Sequence, residues 1–142
     1  MSTILANTIT AVGGGGTNVK VGNNATYVSD GGAVTQNTVQ GLCKAWSNFD
    51  NDDADFNDSF NFASITDNGT GQMQFNVTNA FSNSNYTHVG GGTHDGGSYV
   101  CSLYFNHDST KNTTQAEFDS RNTNQNQRDA EFMSLAYFGD LA

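Results

Sequence analysis

Between residues 59 and 81 the chain reads SFNFASITDNGTGQMQFNVTNAF, and this alternation limits the possible folds more than any other feature. Phe60 and Phe62 alternate with Ser59, Asn61 and Ala63. The turn TDNGTG follows, and then Met73, Phe75 and Val77 alternate with Gln72, Gln74, Asn76 and Thr78. A period of two is that of a strand with one face buried and one wet. Two such runs around a Gly- and Asn-rich turn predict a hairpin. Asn68 and Gly69 are expected to supply its positive backbone dihedrals. The wet face carries amides and hydroxyls instead of charge.

From residue 39 onward the same texture repeats. QGLCKAWSNF, SFNFASI, QMQFNVT, NYTHVGG, SYVCSLYF, TTQAEFDS and AEFMSLAYF are seven candidate strands separated by turn-rich pieces, a spacing typical of sandwiches. DSRNTNQNQRDAEFM lacks apolar periodicity and reads as a loop. The expected fold is all-β, an antiparallel β-sandwich or jelly roll over residues 39–142. Trp46, Phe60, Phe62, Met73, Phe75, Val77, Leu103 and Phe138 are its expected core. Residues 1–38 differ: Ile4, Leu5, Ile9, Val12, Val19 and Val21 are few and interrupted by Gly, GGGG at 13–16 included. They are too sparse for a core of their own yet too strand-like for a featureless tail. They are expected to form an extended arm that adds to a neighbouring copy or another protein.

Charge excludes several functions. Five basic residues stand against 14 acidic ones, for a net charge of −9, and no basic cluster exists to neutralise phosphates, so nucleic acid is not an expected partner. No apolar run of about 18 residues occurs, so membrane insertion is not expected. MSTILANTIT has neither the basic nor the apolar region of an export signal. Apolar residues make up 35% and charged ones 13%, so the remaining surface must be built from Gly, Asn, Thr, Ser, Gln and their like. The chain has no Pro with which to blunt an edge strand. Its edges need protection by oligomerisation, by the arm or by Asp residues. Cys43 and Cys101 each fall in a candidate strand. They read as small buried apolar residues, with a disulfide between the strands as the alternative.

Residues 50–58, DNDDADFND, crowd five Asp and two Asn together. Asp50, Asp52, Asp53 and Asp55 are calcium candidates by ligand chemistry. The EF-hand register fails, however: counted from Asn51, Phe56 falls where Gly is needed and Phe62 where the bidentate Glu belongs. A solvated acidic hairpin loop is the alternative. His88, His94 and His107 could gather at a symmetry axis around a transition metal, although three His without ligand spacing read more simply as surface residues. Aromatic residues beside amides, in SNSNYTH and GGSYV, suit sugar stacking and hydrogen bonding, so Tyr86, His88, His94 and Tyr99 are the expected recognition surface. No nucleophile with a base, no opposed carboxylate pair and no phosphate loop is discernible. Neither enzymatic activity nor a cofactor is expected.

KAWSNF at 44–49, DSFNFASITDNGTGQMQFNVTNAF after it and the closing AEFMSLAYFGD resemble a family of tailed-bacteriophage virion proteins, common in marine and cyanobacterial phages and labelled tail-fibre proteins. The opening MSTILANTIT is similar to the start of small members. The resemblance covers roughly residues 39–90, with shorter matches at 1–10 and 130–140. It implies a non-enzymatic structural protein of the virion, made in the host cytoplasm and assembled as a homo-oligomer, a trimer in the commonest case. Other phage structural proteins and a host surface glycan are its implied partners. A capsid decoration protein tying major-capsid subunits together is the alternative, and a soluble lectin-like module a third. The lack of repeats or heptads leaves no shaft for a long fibre.

Overall fold

The computed structural model describes residues 26–28, 35–37, 41–93, 100–106 and 111–142. The arm positions Ile4, Leu5, Ile9, Val12, Val19 and Val21 lie outside these residues, as do His94, Tyr99 and His107. The chain divides between Gly41 and Leu42. In the first part, β1 (Thr26–Val28) and β2 (Thr35–Asn37) pair antiparallel.

The second part is a single antiparallel sheet of eight strands. They are β3 (Ala45–Asp50), β4 (Asp55–Phe60), β5 (Phe62–Gly69), β6 (Gln72–Val77), β7 (Thr87–Thr93), β8 (Val100–Phe105), β9 (Gln115–Arg121) and β10 (Phe132–Phe138). Their order across the sheet is β4-β3-β10-β7-β8-β9-β6-β5. The two edge strands, β4 and β5, are consecutive in the chain and separated only by Asn61. That connection brings the edges together and nearly closes the sheet into a barrel, so the all-β expectation holds. No helix occurs among the described residues, and 122–131 form the loop between β9 and β10.

Inside the sheet sits an aromatic core. Phe75, fully buried, packs edge-on against Phe49 with ring centroids 4.9 Å apart and against Phe118 at 5.8 Å, and it also meets Phe62 at 5.6 Å. Tyr137 extends the cluster to Phe62, Phe81 and Tyr86. Of the expected core, Phe62, Met73, Phe75, Val77 and Leu103 are buried, and Phe138 is half-buried near the chain's end.

Trp46 and Phe60 are not core residues: they are 40% and 52% exposed. Trp46 and Phe49 are an odd number of positions apart, so one strand cannot bury both. Phe49 takes the interior with Ala45 and Ser47, and Trp46 faces out. Phe60 and Phe62 are two positions apart and were expected on one strand face, but SFNFASI is two strands. Asn61 between them has a left-handed backbone, φ 61°, a conformation that Asn tolerates better than most residues. It turns the chain from one edge of the sheet to the other and resets the alternation. Its side chain is fully engaged there. Nδ2 donates to the carbonyls of Lys44 (2.9 Å) and Asn79 (3.3 Å), and Oδ1 accepts from the Asn79 backbone N–H (2.7 Å) and side-chain amide (2.9 Å).

The hairpin between β5 and β6 also differs in detail. β5 runs on through Asn68 to Gly69, and the positive dihedrals belong to Gly69 (φ 131°) and Gly71 (φ 70°), not Asn68. Asp67 Oδ1 accepts the Gly69 N–H at 2.7 Å. A side chain at Gly71 has no space, since a Cβ there would lie 2.7 Å from both the Arg128 nitrogen and the Ser120 carbonyl oxygen.

Candidate functional site

The outer face of β4, β3, β10 and β7 carries the most distinctive surface. Phe60 lies opposite Trp46, Trp46 opposite Ala136, and Ala136 opposite Val89. Directly paired residues of neighbouring strands share a face, so these four form one apolar row across four strands. Phe60, Trp46 and Val89 are all well exposed. The adjoining row is polar and small: Asp58 opposite Asn48, Asn48 opposite Ser134, Ser134 opposite Gly91. Asn57 Nδ2 donates to Asn48 Oδ1 at 3.0 Å, and Asn48 Nδ2 reaches Ser134 Oγ at 3.5 Å. Between the rows lies an open depression of about 360 Å³ whose lining includes Trp46, Asn48, Val89, Ser134 and Ala136 and, among the described residues, contains no charged one.

Of the recognition residues expected from the sequence, His94 and Tyr99 lie outside the described residues, and Tyr86 and His88 are placed elsewhere. Tyr86 is buried, not presented at the surface: it stacks on Phe81 with centroids 4.2 Å apart, and its hydroxyl lies 3.0 Å from the Asn112 carbonyl and 3.1 Å from that of Gln115. Burial pushes its phenol up to about 12. His88 lies opposite Tyr137 and so points inward. Its ring meets Phe105 and Phe118 at 4.2 and 4.8 Å, its Nε2 approaches the Leu103 carbonyl at 3.5 Å, and its buried Nδ1 has no hydrogen-bond partner among the described residues. Desolvation lowers its pKa below the ordinary histidine value; the Leu103 carbonyl opposes that shift and the nearby Lys111 ammonium adds to it. Lys111 donates to the Tyr86 carbonyl and sits over the rings of Tyr86 (4.2 Å) and Phe105 (4.3 Å), and burial lowers its pKa too. The cluster plugs the barrel where β7 and β8 part below Gly91 and Ser102, the last pair they make toward that end. An imidazole held this way packs the interior and is not offered to a substrate.

The acidic stretch forms the β3–β4 hairpin. Asp50 Oδ1 accepts the N–H groups of Asp52 (2.9 Å) and Asp53 (3.3 Å), closing the turn on itself, and Ala54 completes it with φ 52°. Asp55 Oδ1 accepts the Phe56 N–H and Asp58 Oδ1 the Ser59 N–H, both at 2.8 Å. These carboxylates are thus occupied by backbone donors, and among the described residues no group of three or more His, Cys, Asp or Glu is arranged to hold a metal ion. Asn51 points inward, its Nδ2 lying 3.3 Å from Asp129 Oδ1, which also accepts the Gly71 N–H at 2.6 Å. Cys43 and Cys101 are free thiols, Cys101 buried and Cys43 half-buried with its Sγ 3.0 Å from the Ala45 carbonyl.

The outward position of Trp46 escaped the sequence reading because KAWSNF has apolar residues on both faces. No helix among the described residues is long and apolar enough to cross a membrane. Comparison with models of protein families, with curated proteins and with solved structures gave no match for this chain.

Proposed function

We propose that the chain is a non-enzymatic structural protein of a bacteriophage virion, of tail-fibre or tail-appendage type, which assembles as a homo-oligomer. The observation that carries this reading is the exposed row Phe60, Trp46, Ala136 and Val89, set beside the row Asp58, Asn48, Ser134 and Gly91 on the outer face. Large apolar side chains exposed side by side mark a contact surface. The amides beside them can hydrogen-bond to a polar partner without the repulsion that a fully charged face would impose. The likeness of KAWSNF and SITDNGTG to phage virion proteins supports the same reading. Residues 1–38 are, on this reading, an assembly arm: a chain lacking residues 1–30 should keep the eight-stranded sheet and lose its place in the particle.

Quantitative mass spectrometry of purified virions from the genome encoding the chain tests the proposal. A few to a few dozen copies per particle supports the tail reading, and hundreds would favour a capsid decoration protein that uses the same contact row. Absence from washed particles would overturn both.

A further inference from the structure

We infer that the depression beside Trp46 binds one pyranose ring of a neutral glycan. Trp46 offers a half-exposed aromatic wall, and Val89 stands across the small residue Ala136 from it. A pyranose presents a patch of C–H groups that packs on such a ring and a rim of hydroxyls that must be hydrogen-bonded at the same time. The rim is supplied by the adjoining row. Asn48 holds Asn57 at 3.0 Å, but its own amide reaches Ser134 Oγ only at 3.5 Å, too long to be a strong bond, so both groups have capacity for a ligand hydroxyl. The volume, about 360 Å³, falls at the small end of ligand sites, which span roughly 300 to 1,000 Å³. That suits a single ring, not an extended chain.

Charge selects the class of sugar. Among the described residues no charged one lines the depression, and the nearest charge in the register is the Asp58 carboxylate opposite Asn48, on a chain of net charge −9. An acidic sugar would be repelled and meet no cation, so the ligand is neutral. This inference does not depend on the virion reading, since a lectin-like module would use the site identically.

Trp46 is the only tryptophan, so intrinsic fluorescence of the full chain reports on the site directly. Titration with galactose, glucose, mannose and N-acetylglucosamine should give, for at least one, a saturable blue shift with millimolar affinity, and N-acetylneuraminic acid should give none. Ser134→Leu, an exposed change that fills the depression and keeps Trp46, should weaken the response about tenfold or more. Trp46→Ala, followed by calorimetry, should abolish binding, with unchanged melting temperatures showing both variants folded. The inference is overturned if no neutral sugar saturates at tens of millimolar, if Ser134→Leu binds as well as the parent, or if emission shifts only with protein concentration. The last result would make this face an interface between copies.

Discussion

Asn61 is the residue on which closure of the sheet turns, and its two contributions can be separated by substitution. Asn61→Gly keeps the left-handed backbone and removes the side chain. Asn61→Ala removes the side chain and also forces a Cβ into φ 61°. The side chain makes four bonds at 2.7 to 3.3 Å, each worth about 0.5–1.5 kcal/mol when buried. Asn61 is half-buried, so water replaces part of what is lost, and about 2–3 kcal/mol is the expected cost of Asn61→Gly. An L-residue without a local polar group adds about 1–2 kcal/mol in the left-handed region, placing Asn61→Ala at about 3–5 kcal/mol. The measurement is urea unfolding followed by far-ultraviolet circular dichroism. The denaturant slope should stay unchanged, so that midpoint shifts report stability. Equal losses for the two variants would show that the left-handed corner contributes nothing, and a neutral Asn61→Ala would refute the account of how β4 passes to β5.

Phe75→Ala, in the centre of the aromatic core, should cost about 3–5 kcal/mol, whereas Trp46→Ala and Phe60→Ala on the outer face should each cost less than about 1 kcal/mol; comparable losses in urea melts would reverse the assignment of faces. Gly71→Ala should destabilise more than Thr70→Ser, because its Cβ meets backbone on two sides, whereas residue 70 is exposed; similar melting temperatures for both variants would contradict the close approach of 71 to 120 and 128. The folded pKa of His88 lies below its unfolded value, so the unfolded chain binds the proton more readily. The stability associated with neutral His88 is therefore present above the unfolded pKa of about 6.5 and is lost as pH falls through and below it. His88→Phe should lessen the drop in urea midpoint between about pH 7 and pH 5 relative to the parent, and identical pH profiles would count against a buried imidazole. The carboxylates of Asp50, Asp55 and Asp58 serve backbone N–H groups, so excess chelator should leave the melting temperature unchanged, and a fall that calcium reverses would restore the metal reading.

β6 was fully legible in the sequence because nothing interrupts it: Met73, Phe75 and Val77 keep one parity from end to end and all three are buried. Phe60-Asn61-Phe62 looks the same on paper and is not, since one left-handed residue changes which face comes next without leaving a mark in the hydrophobic pattern. The signal available was Asn itself, the residue most ready for that conformation after Gly. Trp46 failed for a different reason. With Ala45, Trp46 and Phe49 on both parities, the strand's inward face is decided by a partner far away in sequence, Phe75, and no local rule could supply that contact. Tyr86 and His88 share one parity and could equally have faced out. The inward glycines of β7 argue against it: a Cβ at Gly92 would lie 1.9 Å from the Phe132 carbonyl oxygen, so β7 is pressed against β10 on that face.

A chain without proline was expected to shield its sheet edges by oligomerising, by its arm or by Asp residues, and the described part answers with closure and Asp. Because β4 and β5 are consecutive, the two edges come together at Asn61 and the sheet is nearly closed there. What remains of the β4 edge is met by its own acidic residues, with Asp55 and Asp58 turning back to accept the N–H groups of Phe56 and Ser59. An N–H already bonded to a carboxylate is a poor template for a foreign strand, and the charge repels another copy of so acidic a chain. The cluster at 50–58, whose composition suggests a metal site, thus has a sufficient structural reason to exist. On the proposed reading, contact with a partner is left to the uncharged apolar row around Trp46, on the outer face of the same strands, where association can proceed through side chains without opening the sheet.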